Sequence, residues 1–213
     1  MGKDKEKFKE KFKKVMPNDW VDNYNVWLKT DDIEKCLDQY EDKHDDFYFY
    51  GAVPIDFAKC AVSNLCSFNL KKHLSNNQSK IGIVFNTDPH DEPGEHWISL
   101  YIDAHGVNMN KIPGIYYFDS YGEKPAKEIE KLVTKIKRQG KRLNLDFKYL
   151  YNDHQFQKKN YQCGMYSIFF INEMLKNKSF KRFLNLGLTD DKMKEKRDKF
   201  FIPPEEIKCK YTL

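Results

Sequence analysis

Residues 157–170 read Q-K-K-N-Y-Q-C-G-M-Y-S-I-F-F, a polar run that turns abruptly apolar at the pair Cys163-Gly164. From that pair on, Met165, Ile168, Phe169 and Leu175 recur at helical spacing, with Ile171 nearby, which predicts a buried helix starting near Cys163. Asn160 is the expected N-cap. A thiol in the first turn of a helix sits beside unpaired backbone N–H groups and the positive end of the helix dipole, and both favour thiolate over thiol. A thiolate is a nucleophile. A lone buried cysteine is more often a small core hydrophobe, so Cys163 gains meaning only from its company.

That company is found upstream. An activated cysteine needs a base, and the base needs a group to orient it. Six histidines are available: His44, His73, His90, His96, His105 and His154. His44 and His73 read as solvated ends of helices, and His90 and His105 fall in loops. His96 opens the strand H-W-I-S-L-Y-I-D just after the loop Thr87–Glu95, where a rigid element can present a side chain to a cleft. Asp119 closes the strand G-I-Y-Y-F-D-S-Y-G, and a carboxylate so placed is half-buried and needs a donor. His96 is the natural donor if the two strands are neighbours. Taken singly, His96 could be a surface residue at a strand start and Asp119 a cap of the turn after it. His154 is the alternative base, and Gln155 could exchange roles with Gln157.

The remaining pattern gives the class. Thr30 caps a helix over Asp31–Tyr40 with Ile33, Leu37 and Tyr40 inward, and Trp20 and Trp27 before it read as exposed indoles. Phe47–Tyr50, Ile81–Asn86, His96–Asp103, Ile115–Ser120 and Asp146–Tyr151 read as strands. Helices are expected over Ala58–Leu74, over Lys127–Arg138 closed by Gly140, and as a charged hairpin over Ser179–Phe201 ended by Pro203-Pro204. The expectation is an α+β fold with a central mixed sheet flanked by helices. Residues 1–16 form a basic N-terminal extension, with Phe8, Phe12 and Val15 on one helical face, and 17–213 a single domain.

Composition narrows the function. At 213 residues, 40% hydrophobic and 15% aromatic, the chain can bury a real core. The net charge of +5 is mild, and no nucleic-acid motif accompanies it. No apolar run approaches the ~20 residues that cross a bilayer, and the charged N-terminus has no apolar segment of a secretory signal. Five cysteines at irregular spacings (Cys36, Cys60, Cys66, Cys163, Cys209) and no CxxC pair argue against zinc, so no metal or cofactor is expected. Reduced thiols in a cytosolic or nuclear compartment fit best, with Cys60 and Cys66 as ordinary buried residues.

The set H-W-x-x-L, a strand ending in D-S, then Gln157 six residues before Cys163-Gly164, resembles the SUMO-protease-like family of cysteine peptidases, which includes the adenovirus-type maturation proteases. W-L-K-T-D-D-I, from Trp27 to Ile33, resembles the family's substrate-groove segment, but Lys29-Thr30 stands where SUMO-directed members carry Asn-Asp. F-Y-F-Y-G-A-V-P-I-D-F and the acidic loop before His96 look closer to proteases of large DNA viruses. The resemblance covers roughly 20–175 and implies the papain-like cysteine protease fold of the SUMO-protease/adenain type. It implies Cys163 as nucleophile, His96 as base, Asp119 as its orienting carboxylate and Gln157 as oxyanion donor. It also implies that Trp97 and Trp27 line a channel passing Gly-Gly, with Gly164 leaving room for the substrate backbone. Trp97 could instead be core, and Trp27 could pack on its own helix.

The function implied by this resemblance is an endopeptidase cutting after small or Gly-Gly sites in viral structural precursors, in the host cytoplasm or nucleus or packaged in virions. Its partners would be the protein substrate and, as in some relatives, a DNA or peptide activator. The alternatives are an isopeptidase that removes SUMO or ubiquitin-like modifiers, a catalytically silent binding module, and a DNA-binding protein resting on the basic ends alone.

Overall fold

The computed structural model describes residues 14–16, 20 and 25–202. The expected helix over the first fifteen residues lies outside them except for Lys14–Val15, which is a strand, β1, paired in parallel with β7, Phe201–Ile202. The tail 208–213 also lies outside.

Five strands make the central sheet, in the spatial order β2 (Phe47–Val53), β3 (Lys80–Asn86), β4 (Trp97–Asp103), β5 (Gly114–Phe118), β6 (Lys148–Tyr151). β3, β4 and β5 run antiparallel to one another, while β2 joins β3 and β6 joins β5 in parallel. The mixed sheet expected from the sequence is the one found, with strand ends moved by a residue or more.

Period two in β4 sorts its side chains between two cores. Trp97 and Tyr101 join Tyr116 and Phe118 of β5 on one face, under the helix α4, Cys163–Leu175. Ile98, Leu100 and Ile102 join Ile115 and Tyr117 on the other face, under α3, Lys127–Lys141, through its Ile129, Leu132, Val133 and Ile136. All 13 residues of α4 are buried, as expected for a helix apolar nearly all round. Each fully buried Phe or Ile there contributes roughly 1.5–3 kcal/mol. Its buried Glu173 is paired with Lys176 and Lys178 at 2.7 and 2.9 Å.

α1, Thr30–Asp38, packs on the α4 side, with Ile33, Cys36 and Leu37 inward. Its N-cap is Lys29 rather than Thr30, and Asp32 accepts the Lys29 N–H. Two short helices, α5 (Phe180–Leu184) and α6 (Asp190–Phe200), form the expected hairpin.

Several local expectations are corrected. Instead of one helix over Ala58–Leu74, there are turns, a 3₁₀ segment at Asn64–Ser67 and the short helix α2, Leu70–Ser75, because Ser63 and Asn69 each accept a backbone N–H two or three residues on and restart the chain. Cys60 and Cys66 in that stretch are half-exposed or exposed and are joined by a disulfide. His73 is buried, not solvated, with Tyr50 Oη and Gln78 Oε1 each 2.7 Å from its ring nitrogens. Gly140 does not stop α3; it lies inside it, where a Cβ would meet Phe147 Cδ2 at 2.6 Å. Trp20 is 1% exposed, set edge-on against Phe201 at 4.8 Å and under the Arg197 guanidinium at 4.4 Å.

Candidate active site

β4 begins and β5 ends at the same end of the sheet, because the two strands are antiparallel with Ser99 opposite Phe118. His96 therefore precedes one strand, and Asp119 follows the other, on adjacent strands. His96 Nε2 and Asp119 Oδ1 are 2.7 Å apart. The imidazole is rooted from behind, since the His96 carbonyl accepts the Thr87 N–H at 3.0 Å and closes the loop before it.

Asp119 is buried and held on several sides. Its backbone N–H donates to Asn152 Oδ1, and Asn152 Nδ2 donates back to its carbonyl, at 3.0 and 2.6 Å. Its Oδ1 accepts the Tyr121 N–H at 2.8 Å in addition to His96. An imidazole against so fixed a carboxylate holds its proton tightly. Burial works against the charged ring, but the hydrogen bond to Asp119, and then the Cys163 thiol beside it, outweigh burial and push His96 up to about 9. The second ring nitrogen, Nδ1, is buried.

Cys163 is the first residue of α4, and its side chain is 2% exposed. The expected cap, Asn160, is exposed; the N-cap is Gln162, and its side chain makes no capping bond. Gln162 Oε1 instead accepts from Arg197 Nε at 3.2 Å. Gly164 serves a neighbour rather than an open path: a Cβ there would lie 2.9 Å from Leu28 Cβ.

Gln157 is wholly buried. Its N–H donates to the Ser120 carbonyl at 2.9 Å, which ties it to the turn after Asp119. Its Oε1 accepts from Ser120 Oγ at 2.7 Å, and its Nε2 donates to the Lys159 carbonyl and, at 3.3 Å, to Tyr121 Oη. Trp97 is 7% exposed and donates Nε1–H to the Leu28 carbonyl at 2.8 Å, so it is anchored against the segment that also carries Trp27. Trp27 itself is 40% exposed. His154 and Gln155 are exposed; His154 stands edge-on to Phe156, and Gln155 Nε2 donates to the Gln157 carbonyl. The imidazole with a carboxylate partner beside Cys163 is thus His96.

Three side chains of the site escape a reading of the sequence. Tyr121 lies on the His96 ring, with centroids 4.5 Å apart and planes 29° apart. Asp190, at the start of α6, accepts the backbone N–H groups of Lys158 and Lys159 at 2.8 and 3.0 Å. Arg197, fully buried, also donates to the Val26 and Tyr161 carbonyls at 2.7 and 3.3 Å. Arg197 had one signal: it is the single arginine among the lysines of K-M-K-E-K-R-D-K, and only arginine offers a planar fork for several acceptors. Among the described residues no cluster of His, Cys, Asp or Glu suits a metal ion, and no helix is long and apolar enough to cross a membrane.

A family model described as YopJ serine/threonine acetyltransferase matches residues 5–208. A putative thiol protease of Acanthamoeba polyphaga mimivirus is 34% identical over 176 residues, 82% of this chain and 56% of the relative. The chain spans about half the length of the viral relatives it matches. The crystal structure of an African swine fever virus protease superposes with a TM-score of 0.75 at 22% identity, over 89% of this chain and 71% of that one. The C-terminal Ulp1 protease domain in complex with Smt3, the yeast orthologue of SUMO, gives 0.54 at 16% identity, over 82% and 74%. The fold is that of these proteases.

Proposed function

The chain belongs to the family described as YopJ serine/threonine acetyltransferases, and within it we propose that this protein is a cysteine peptidase that cuts after small or Gly-Gly sites. The observation that carries the reading is the 2.7 Å pair of His96 Nε2 and Asp119 Oδ1, set beside a cysteine at the first turn of a buried helix.

In this reading His96 takes the Cys163 thiol proton and becomes an imidazolium as the sulfur comes to attack. The sulfur attacks the scissile carbonyl carbon, and the carbonyl electron pair moves onto oxygen. The developing oxyanion is met by the Cys163 backbone N–H and the side-chain donors around Gln157, and one such donor is typically worth about 3–4 kcal/mol in the barrier. His96 then protonates the leaving amine, which departs and leaves a thioester. Water attacks the thioester as His96 takes its proton, and Cys163 leaves as thiolate. Proton transfer of this kind contributes roughly 10²–10⁴ in rate. Asp119 keeps the imidazole in one tautomer and stabilises its charged form. Trp97, pinned to Leu28, and the exposed Trp27 supply flat walls that suit glycine at the cut. Viral structural precursors are the proposed substrates.

The family description favours a second reading. Acetyl transfer to a serine or threonine hydroxyl passes through the same acyl-cysteine, and the two differ only in whether water or a hydroxyl accepts the acyl group. The relatives' SUMO-protease names favour a third, cleavage of a modifier's isopeptide bond. A Gly-Gly peptide vinyl sulfone, with intact mass and peptide mapping as readout, tests the common step. A single adduct on Cys163, lost in His96→Ala, is expected. Labelling spread over the other cysteines would sink the reading. An acetyl group appearing on a protein serine or threonine from an acetyl donor would move the second reading ahead.

A further inference from the structure

The Gln157 side chain cannot be turned over. The Lys159 carbonyl can only accept a hydrogen bond, so the atom facing it is the amide nitrogen, and Ser120 Oγ–H must donate to the opposite oxygen. Both amide hydrogens are then committed, one to Lys159 and the other to Tyr121 Oη at 3.3 Å. Tyr121 Oη is the acceptor in that bond, so its own hydrogen is not used there. Among the described residues no hydrogen bond from the Tyr121 hydroxyl to another acceptor is formed. The ring above it is half-buried and stacked on His96, and its backbone N–H shares Asp119 Oδ1 with the imidazole. One residue thus touches the base, the orienting carboxylate and the buried glutamine.

We propose that Tyr121 is a catalytic residue whose hydroxyl, held by Gln157, donates the side-chain hydrogen bond to the substrate oxyanion, so that Gln157 acts through it. The inference rests on the peptidase reading. Burial, and then the charges of Cys163 and Asp119, push the phenol up, so it keeps its proton and serves as a neutral donor. No proton is transferred; the bond shortens as charge grows on the oxygen. The more ordinary role, a ring that merely packs on His96, predicts that the hydroxyl is dispensable.

The test uses the full chain as wild type, Tyr121→Phe and Tyr121→Ala, with two probes of Cys163. With iodoacetamide the sulfur displaces iodide at the CH2 carbon and builds no oxyanion, whereas a peptide aldehyde ending in Gly-Gly forms a hemithioacetal whose oxygen takes the oxyanion's place. Tyr121→Phe keeps the stacked ring, so the ratio of aldehyde affinity to alkylation rate is expected to fall about tenfold, the loss of one net hydrogen bond. Tyr121→Ala is expected to lower that ratio as much and to shift the pH profile of alkylation as well. An unchanged ratio in Tyr121→Phe would overturn the proposal, as would a slowed alkylation that accounted for the whole loss. A wild-type protein that forms no aldehyde adduct on Cys163 would remove the peptidase reading and this one together.

Discussion

Asp119 Oδ1 accepts two hydrogen bonds at nearly equal length, from His96 Nε2 at 2.7 Å and from the Tyr121 N–H at 2.8 Å. The carboxylate is therefore aimed by the turn after it, and the imidazole is aimed by the carboxylate. Asp119→Asn keeps the shape and removes the charge. The His96 pKa should drop from about 9, because burial would no longer be opposed by a full negative charge. The peptidase rate should fall by roughly 10²–10⁴, the size of a lost general-base contribution. NMR titration of the His96 ring together with kcat/KM checks both; an unmoved pKa would remove Asp119 from the orienting role.

The same shift makes stability depend on pH with a definite sign. His96 binds its proton more tightly folded than unfolded, since its pKa rises from 6.5 to about 9. Its contribution is complete below pH 6.5 and is lost as pH climbs through 9. Urea midpoints of the wild type should therefore decline between pH 6.5 and 9, and His96→Gln should lack that part of the slope. Equal slopes in the two proteins would contradict the shift.

The disulfide offers a separate test, because Cys60 and Cys66 lie far along the chain from Cys163 and close a short loop, with a sequence separation of 6. Cys60→Ser should lower stability by about 2 kcal/mol through loop-closure entropy. Labelling of Cys163 should keep its wild-type rate. The two measurements, urea titration and alkylation, separate a staple from a redox control of the site.

What was legible in the chain was local. Cys163 and His96 each mark a place where a polar stretch becomes a regular apolar element, Asp119 marks the reverse change at a strand's end, and period and turn chemistry reveal such places. Trp20 looked exposed because its neighbours in sequence are polar; what buries it is Phe201 and Arg197, far away along the chain. Gly164 suggested a path for substrate, whereas its space is taken by Leu28. Tyr121 was invisible as a site residue because its meaning lies in a ring stack and a side-chain bond, neither of which leaves a period in sequence. Residues 58–74 carry enough apolar positions for a helix, yet Ser63 and Asn69 hydrogen-bond forward and break it.

Arg197 is expected to be the costliest single loss outside the catalytic set. It joins α6 to the helix start through Gln162 and Tyr161, and to the Trp27 segment through the Val26 carbonyl. Arg197→Ala would strand several buried acceptors and open a cavity, at about 3–5 kcal/mol. Arg197→Lys cannot reproduce the fork and should recover only part of this. Urea unfolding ranks the three proteins, and a loss below about 1 kcal/mol for Arg197→Ala would show that the bonds are not held in solution.

Gly164 lies against Leu28 where the start of α4 meets the segment before α1. Gly164→Ala places a Cβ 2.9 Å from Leu28 Cβ, two backbone-anchored atoms that cannot simply swing apart. Overpacking of this kind costs about 1–3 kcal/mol, and because Leu28 also holds the Trp97 indole through its carbonyl, the strain should reach the site and slow labelling of Cys163. Leu28→Gly alone removes the facing Cβ with the rest of the side chain, leaves a cavity and costs about 2–5 kcal/mol or more. In the double variant the new methyl occupies part of that cavity, so the combined loss should be smaller than the sum of the two by about 1 kcal/mol or more. A double-mutant cycle by urea titration measures the difference, and strict additivity would mean that Gly164 is not where the Trp27–Leu28 segment meets the helix.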